Sequence, residues 1–242
     1  MDDWKYQPAA DQGLKPVESL RSLRREAGLI GHLSQMSWRV TAWIYLRAYH
    51  RLRVTGAEYF PLHPPFVMIA NHSSHLDAMT LASALPWRLR RSAFPIAAGD
   101  VFFETPAVSL FSAMTLNALP MWRKRCGTHA MQELRERLIG EPAIYILFPE
   151  GTRSRDGKMG RFKPGLGMLV AGADVPVVPC HLDGAFTACP PGKRFPQPHP
   201  IHLRIGPPLN FSATENARAG WQEIAARLES TVIGLGSVTE QS

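Results

Sequence analysis

A histidine and a carboxylate follow the first strongly apolar run of the chain. Residues 66–70 read as a buried strand, and the next segment, Asn-His-Ser-Ser-His-Leu-Asp, contains His72 and Asp77. Their spacing corresponds to about 140° around a regular helix, so they can meet if His72 lies in a loop and Asp77 in the first helical turn. Asp77 would then orient one imidazole nitrogen and leave the other as a base. Without a Gly-x-Ser-x-Gly elbow, the pair suits activation of a substrate hydroxyl.

Two other interpretations of this segment stay open. Ser74 and Asp77 also fit the pattern of a helix N-terminus, in which Asp77 merely caps the helix. His72, His75 and Asp77 offer three closely spaced ligand types to a metal ion. The His-Glu-x-x-His spacing of zinc enzymes is absent and no second ligand cluster accompanies the first, so we expect no metal.

A second polar segment ends a second apolar run. Residues 143–148 read as another buried strand, and Pro-Glu-Gly-Thr-Arg-Ser follows at 149–154. In this segment a glycine allows a turn after the strand, and two hydroxyl residues and an arginine follow. Such a segment can bind a phosphate through the arginine guanidinium. In this interpretation Arg153 binds the phosphate, and Glu150 orients Arg153 or binds a hydroxyl. The other interpretation is a solvated basic loop.

Strand and helix patterns alternate along the chain, which predicts an α/β fold with a mainly parallel mixed sheet flanked by helices. The carboxyl ends of parallel strands meet at one edge of a sheet, where ligands bind, so we expect both polar segments in one site. Arg123 follows a third strand end. Two prolines in the predicted strand 175–179 indicate that this strand lies at an edge of the sheet or is locally irregular. The predicted strands are 66–70, 93–98, 115–121, 143–148, 175–179 and 202–205, and the predicted helices are 78–85, 128–138, 165–172 and 215–234.

The N-terminal part is predicted to be distinct from this domain. Residues 1–53 would form a tail and a helical, amphipathic membrane-interface segment, and residues 54–242 the α/β domain. The apolar window 28–48 is interrupted by polar residues, among them Arg39, and a mid-membrane arginine costs about 2.5 kcal/mol or more. Tryptophan, tyrosine and arginine on such a segment are typical of a helix lying in the membrane interface. Packing on the chain's own domain is the equal alternative.

The overall charge points to an anionic partner. The formal net charge is +7 and the isoelectric point lies near 9.7. The basic residues cluster in strand-end loops rather than on one aromatic-interleaved face, which disfavours nucleic acid. Cys126, Cys180 and Cys189 form no Cys-x-x-Cys pair, which favours a reducing compartment. The acidic N-terminus lacks the apolar core of a secretory signal.

The ordered motifs resemble those of the glycerolipid acyltransferases of the lysophosphatidic acid acyltransferase type. They are His-x4-Asp at 72–77, Phe-Pro-Glu-Gly-Thr-Arg-Ser at 148–154, and Val-Pro-Val-x-Pro at 175–179. A further family motif, Gly-x5-Arg, reads Asn-x5-Arg at 117–123, which alters the expected shape of the acceptor pocket. The resemblance covers roughly residues 54–210, and the first two motifs in this order are specific together.

This resemblance implies transfer of a fatty acyl group to the free hydroxyl of a lysophospholipid. The donor would be acyl-CoA or acyl carrier protein, and the acceptor 1-acyl-glycerol-3-phosphate, which would give phosphatidic acid. His72 and Asp77 would be catalytic. No metal or other cofactor is implied besides the thioester co-substrate. The residues expected to hold the substrate are Arg123, Glu150, Gly151, Thr152 and Arg153.

The resemblance also favours the membrane-interface interpretation of residues 28–48, because the acceptor resides in a bilayer. We expect a peripheral or monotopic protein on the cytoplasmic face of a membrane, with an anionic lipid surface as partner. Three alternatives stay open. One is another lysolipid acceptor, such as a lyso-ornithine lipid, and another is a transacylase or hydrolase with a phospholipid donor. The third, a non-catalytic lipid- or phosphate-binding module, would not need the His–Asp pair.

Overall fold

The computed structural model describes residues 29–98, 119–121, 128–193 and 195–237. The helices are α1 (Leu29–Ala48), α2 (Asp77–Ala84), α3 (Thr128–Gly140), α4 (Gly165–Val170), α5 (Ala185–Ala188) and α6 (Arg218–Ser237). The strands are β1 (Arg53–Thr55), β2 (Phe66–Ala70), β3 (Ala93–Ala98), β4 (Leu119–Met121), β5 (Ile144–Leu147), β6 (Val177–Asp183) and β7 (His202–Ile205). Short 3-10 turns lie at Ala57–Tyr59 and Arg90–Ser92.

The strands form one seven-stranded sheet in the order β1-β7-β6-β2-β5-β3-β4 within the described ranges. Strand β2 is central and pairs in parallel with β5 and with β6. The pairs β1–β7, β3–β4 and β3–β5 are also parallel, and β6–β7 is antiparallel. The predicted mainly parallel mixed sheet is therefore confirmed, and β2, β5 and β6 all end at the same edge.

Alternating side chains of the central strand build two separate cores. Phe66 and Met68 of β2 pack on one face with residues of α1 and α2. Val67 and Ile69 pack on the other face with residues of α3, α4 and α6. This alternation follows from the pleat of a strand, and a strand buried on both faces needs apolar residues at every position. The result is a sheet between two helical layers.

Helix α1 packs on the domain, as one of the two interpretations of the N-terminal window predicts, and it also exposes an apolar face. Its buried residues include Leu46, which belongs to the same core as β2. A wider face is exposed and apolar, with the side chains of Leu33, Met36, Val40, Trp43 and Ile44. No helix within the described ranges has the length and apolarity of a transmembrane span. The domain boundary at residue 53 stays a prediction.

Of the two alternatives for the proline-containing strand, an edge position or local irregularity, the edge position is wrong. Strand β6 is buried between β2 and β7. Pro179 is tolerated because backbone groups alternate sides along a strand, so its missing N–H faces the β7 side. There β7 has ended at Ile205, and the Pro179 carbonyl accepts a hydrogen bond from the Gly206 N–H at 2.8 Å. The bounds of two other elements also need comment. Helix α3 continues to Gly140, beyond the predicted end at residue 138. Residues 115–118 of the predicted strand 115–121 lie outside the described residues.

Gly167 lets α4 approach α6, and its substitution should weaken the fold. A Cβ at position 167 would lie 2.4 Å from the Trp221 Cα, a backbone atom that cannot rotate away. We expect Gly167→Ala to lower the free energy of unfolding by about 2 kcal/mol, since the helices must separate. Urea denaturation measures the change. The matched control is Gly165→Ala in the same helix, where an added Cβ meets no atom within 4 Å. Equal midpoints for the two variants would contradict this packing.

Candidate active site

The two polar segments predicted to form one site lie side by side. Strands β2 and β5 are parallel neighbours, and each is followed directly by one of the segments. The Ser154 N–H donates to the His72 carbonyl at 2.8 Å, which joins the two segments through their backbones. The topological prediction therefore holds, because parallel pairing brings both strand ends to the same edge.

His72 and Asp77 form a close pair. The Nδ1 atom of His72 lies 2.8 Å from Oδ2 of Asp77. Asp77 is fully buried in the first turn of α2, whereas His72 lies in the preceding loop, as the spacing required. The same Oδ2 accepts hydrogen bonds from the backbone N–H groups of Ser73 and Ser74, at 2.7 and 2.8 Å. The carboxylate thus holds both the imidazole and the loop that carries it.

The structure distinguishes this arrangement from simple helix capping. The capping position of α2 is Leu76, whose side chain makes no capping hydrogen bond. Asp77 instead bonds to residues that precede the helix. The Leu76 N–H donates to the Ser74 hydroxyl at 3.2 Å, so Ser74 provides the local turn contact. Among the described residues, no group of three His, Cys, Asp or Glu side chains is arranged to hold a metal ion.

Phe148 fixes the plane of the imidazole. Its ring stacks on that of His72 with centroids 4.1 Å apart and an interplanar angle of 15°. The His72 side chain is 21% exposed, and Nε2 has no hydrogen-bond partner in the described part of the chain. A histidine whose Nδ1 faces a carboxylate and whose Nε2 keeps its hydrogen-bonding capacity can take a proton from an incoming hydroxyl.

Glu150 connects the two segments rather than pairing with Arg153. Its Oε1 accepts from the His72 N–H at 2.6 Å, and its Oε2 accepts from the Gly160 N–H at 2.7 Å. The residue is buried, and burial raises the pKa of its carboxyl while the two backbone donors oppose that rise. The geometry therefore favours a positioning role, which the sequence pattern did not indicate. Contact of Glu150 with the substrate stays a prediction.

The glycine turn after Glu150 brings cations toward the pair. Gly151 has a left-handed φ of 73°, and a Cβ there would lie 2.7 Å from Nζ of Lys163. A non-glycine residue would be strained by the φ and would displace the ammonium group. Arg153 contacts His75 through Nη1 and His75 Nε2. Burial, followed by the nearby Arg153 charge, lowers the pKa of His75.

The third neighbouring strand end, that of β6, also supports the loop that carries His72. The Asn71 side chain exchanges two hydrogen bonds with the Leu182 backbone of β6, at 2.9 and 2.8 Å. The Ser74 hydroxyl donates to the Cys189 carbonyl at 2.9 Å. These bonds hold the segment that begins at Asn71 on the side opposite Glu150.

The sequence analysis predicted roles for only part of this set of residues. It did not assign roles to Phe148 or Gly160, and it treated Lys163 as one cation of a basic run. The position of Phe148 at the start of its motif was the available signal. Thr152 is exposed at the turn. Arg123, like Asn117 of the same motif, lies outside the described residues.

Comparison with known proteins identifies the class. Residues 51–183, which contain both polar segments, match the acyltransferase family model. The chain belongs to the acyltransferase family.

Individual relatives are similar over most of this chain. A human 1-acyl-sn-glycerol-3-phosphate acyltransferase alpha is 34% identical over 66% of this chain and 55% of its own. A 1-acyl-sn-glycerol-3-phosphate acyltransferase of Chlamydomonas reinhardtii is 31% identical over 80% of this chain and 57% of its own. The chain therefore spans slightly more than half the length of these relatives. The crystal structure of the 1-acyl-sn-glycerophosphate acyltransferase PlsC of Thermotoga maritima superposes with a TM-score of 0.62 and 26% identity, over 87% of this chain and 81% of that one.

The Glu150 carboxylate should contribute to stability through its two backbone bonds. In Glu150→Gln one amide oxygen can accept a hydrogen bond, but the amide NH2 group must face the other backbone N–H. We expect the free energy of unfolding to fall by about 1–3 kcal/mol because a buried donor loses its acceptor. Urea denaturation measures this, with Glu223→Gln on the exposed side of α6 as control. A Glu150→Gln midpoint equal to that of the control would show that the connection contributes nothing.

Proposed function

We propose that this protein is an O-acyltransferase that moves a fatty acyl group from a thioester to the free hydroxyl of a lysophospholipid. The observation that carries the proposal is the buried Asp77 carboxylate bound to Nδ1 of His72, whose Nε2 has no partner among the residues that the structure describes. Such a pair has no nucleophile of its own and suits deprotonation of a substrate hydroxyl. The acceptor we favour is 1-acyl-glycerol-3-phosphate, since the relatives carry that acceptor in their names.

The proposed chemistry needs one base that later serves as an acid. Nε2 of His72 takes the proton of the acceptor hydroxyl as its oxygen attacks the thioester carbonyl. Asp77 keeps Nδ1–H directed toward itself and stabilises the imidazolium that forms. The tetrahedral intermediate then expels the thiolate, which takes the proton from His72 and leaves as a thiol. Ester formation and thioester cleavage are thereby balanced without a metal or redox cofactor.

The acceptor's phosphate is proposed to bind on the 149–154 side of the site. Arg153 lies against the catalytic loop through its contact with His75. The Lys163 ammonium lies beside the Gly151 turn. A guanidinium and an ammonium around a glycine turn supply the charge and the donors that a phosphate monoester requires. Thr152 would add a hydroxyl, and Arg123 is a proposed third cation.

The donor is proposed to be acyl-CoA or acyl carrier protein. Both carry the acyl group as a thioester, whose thiolate is a good leaving group and needs little acid assistance. Both are also acidic, which complements the formal net charge of +7.

The exposed face of α1 is proposed to contact the membrane that holds the acceptor. Its five large apolar side chains form a continuous face on a helix without acidic residues in its first turn. An amphipathic helix with tryptophan and arginine can lie in the headgroup region and place a peripheral or monotopic enzyme on a bilayer. We propose the cytoplasmic face, because the free thiols of Cys180 and Cys189 fit a reducing compartment.

The decisive experiment measures thiol release from acyl-CoA with and without lysophosphatidic acid. We expect acceptor-dependent release by the wild type and a loss of at least about 100-fold in His72→Ala, since a positioned base contributes about 10²–10⁴-fold. His63→Ala, in the exposed loop before β2, is the control. Acyl carrier protein and other lysolipids serve as further substrates.

Each outcome of this assay separates the candidate functions. Full activity in folded His72→Ala would refute the mechanism. Acyl exchange without any thioester would indicate a transacylase or hydrolase. An absence of release with every donor and acceptor, combined with lipid binding, would indicate a non-catalytic module.

The membrane proposal predicts that one charge on α1 weakens vesicle binding. Ile44→Asp should lower the fraction that sediments with anionic vesicles severalfold, because the aspartate must remain hydrated at the interface. Ile233→Asp on α6 is a matched control, since Ile44 is 52% and Ile233 is 50% exposed. Equal loss in both variants, or no loss in Ile44→Asp, would rule against α1 as the contact surface.

A further inference from the structure

The segment 160–163 leads from the loop after the glycine turn to α4 and forms neither a helix nor a strand. The backbone groups of such a segment must find partners outside regular secondary structure. Two of its N–H groups bond to the strand end after β5. Gly160 donates to Oε2 of Glu150 at 2.7 Å, and Lys163 donates to the Pro149 carbonyl at 2.9 Å.

Glu229 of the C-terminal helix α6 holds the same segment from a distant part of the chain. Its Oε2 accepts from the Phe162 N–H at 2.7 Å, although the two residues are 67 positions apart in the sequence. The Phe162 side chain lies in the core that also contains Leu228, the residue before Glu229. A hydrogen bond to an ionised carboxylate is roughly twice as strong as one between neutral groups. Glu229 therefore fixes the backbone of the residue that precedes Lys163.

The position of the Lys163 ammonium depends on this backbone. A Cβ at position 151 would lie 2.7 Å from Nζ of Lys163 and 3.4 Å from its Cδ and Cε, so the side chain runs along the glycine turn. Lys163 is exposed, so little packing holds its side chain there. Because a lysine stem is flexible, the place of its backbone decides where the ammonium can reach. The hydrogen bonds of the Phe162 and Lys163 N–H groups set that place.

We propose that Glu229 is a positioning residue for the acceptor's phosphate and that it acts through Phe162 and Lys163. This inference rests on the proposed function, in which Lys163 and Arg153 hold the phosphate. Glu229 does not need to contact the acceptor, since its bond to Phe162 places the Lys163 ammonium before the acceptor binds. A cation positioned in advance lowers the ordering cost of binding. Helix α6 lies outside the region 51–183 that matches the family model, and Glu229 connects it to the site.

Steady-state kinetics of acyl transfer distinguish this role from a general effect on the fold. Glu229→Ala removes the acceptor of the Phe162 N–H, and we expect the KM for lysophosphatidic acid to rise about tenfold while kcat changes less than about threefold. The value of kcat is kept because His72 retains its contacts with Asp77 and Phe148. Glu229→Gln keeps an oxygen that can accept the same N–H, and Glu229 is only half-buried, so the amide NH2 can remain hydrated. This variant should have a KM near that of the wild type.

A double-mutant cycle with Lys163 tests the route of the effect. Lys163→Ala alone should raise the KM for lysophosphatidic acid at least about tenfold, since the phosphate loses a charged donor. If Glu229 acts through Lys163, Glu229→Ala adds little in the Lys163→Ala background. The KM of the double variant should then be close to that of Lys163→Ala, whereas independent effects would multiply to roughly a hundredfold. Glu223→Ala, at an exposed position of the same helix, is the control and should leave KM unchanged.

Two measurements without turnover separate this inference from the proposed activity. Isothermal titration of the full chain with 1-hexanoyl-glycerol-3-phosphate, in the absence of a thioester, should give a Kd about tenfold higher in Glu229→Ala than in the wild type. Hydrogen exchange followed by mass spectrometry should show faster exchange of the Phe162 amide in Glu229→Ala and unchanged exchange in the loop 71–76. Urea denaturation establishes that the variant is folded under the conditions of the assays.

Several results would overturn the inference. Wild-type values of KM, Kd and Phe162 exchange in Glu229→Ala would show that the bond does not place Lys163. Multiplying effects in the double variant would mean that Glu229 acts on the site by another route. A loss in Glu229→Gln as large as in Glu229→Ala would mean that the charge acts and not the bond to Phe162. Binding that depends on Glu229 and Lys163 without any thiol release would support the positioning role and count against the proposed transfer reaction.

Discussion

The buried carboxylate of Asp77 is the interaction on which the candidate active site depends. A buried charge is tolerated when hydrogen bonds replace its hydration, and Oδ2 receives three of them from His72, Ser73 and Ser74. Two of the donors are backbone groups of the loop, so the same atom that orients the imidazole also shapes the chain carrying it. A displacement of α2 would therefore move Asp77, the loop and His72 together. The geometry of the His72–Asp77 pair thus depends on the packing of α2.

A second buried carboxylate extends this control to the neighbouring strand. Glu150 bonds to the backbones of His72 and Gly160, and Phe148, two residues earlier, stacks on the imidazole. The two segments therefore contribute differently. The loop after β2 carries His72, the proposed base. The segment after β5 positions this residue and brings Arg153 into contact with His75 of the same loop. A substrate phosphate on the β5 side would be presented to a base whose orientation is set before binding, which reduces the ordering required during the reaction.

Helix α1 has a buried side and an exposed apolar side. Its inner side contributes Leu46 to the core around β2, and its outer side exposes apolar residues, so one amphipathic helix can both pack on the domain and contact a bilayer.

The sequence by itself determined the fold class and the strands that end in polar segments, and it predicted that His72 and Asp77 could pair. Apolar runs identify strands buried on both faces, and parallel strand ends must share an edge. Only the tertiary structure decided that Glu150 bonds to backbone groups, that Phe148 stacks on His72 and that Pro179 lies in a central strand. Each of these three features depends on contacts between residues that are far apart in the sequence. Local periodicity carries no information about such contacts.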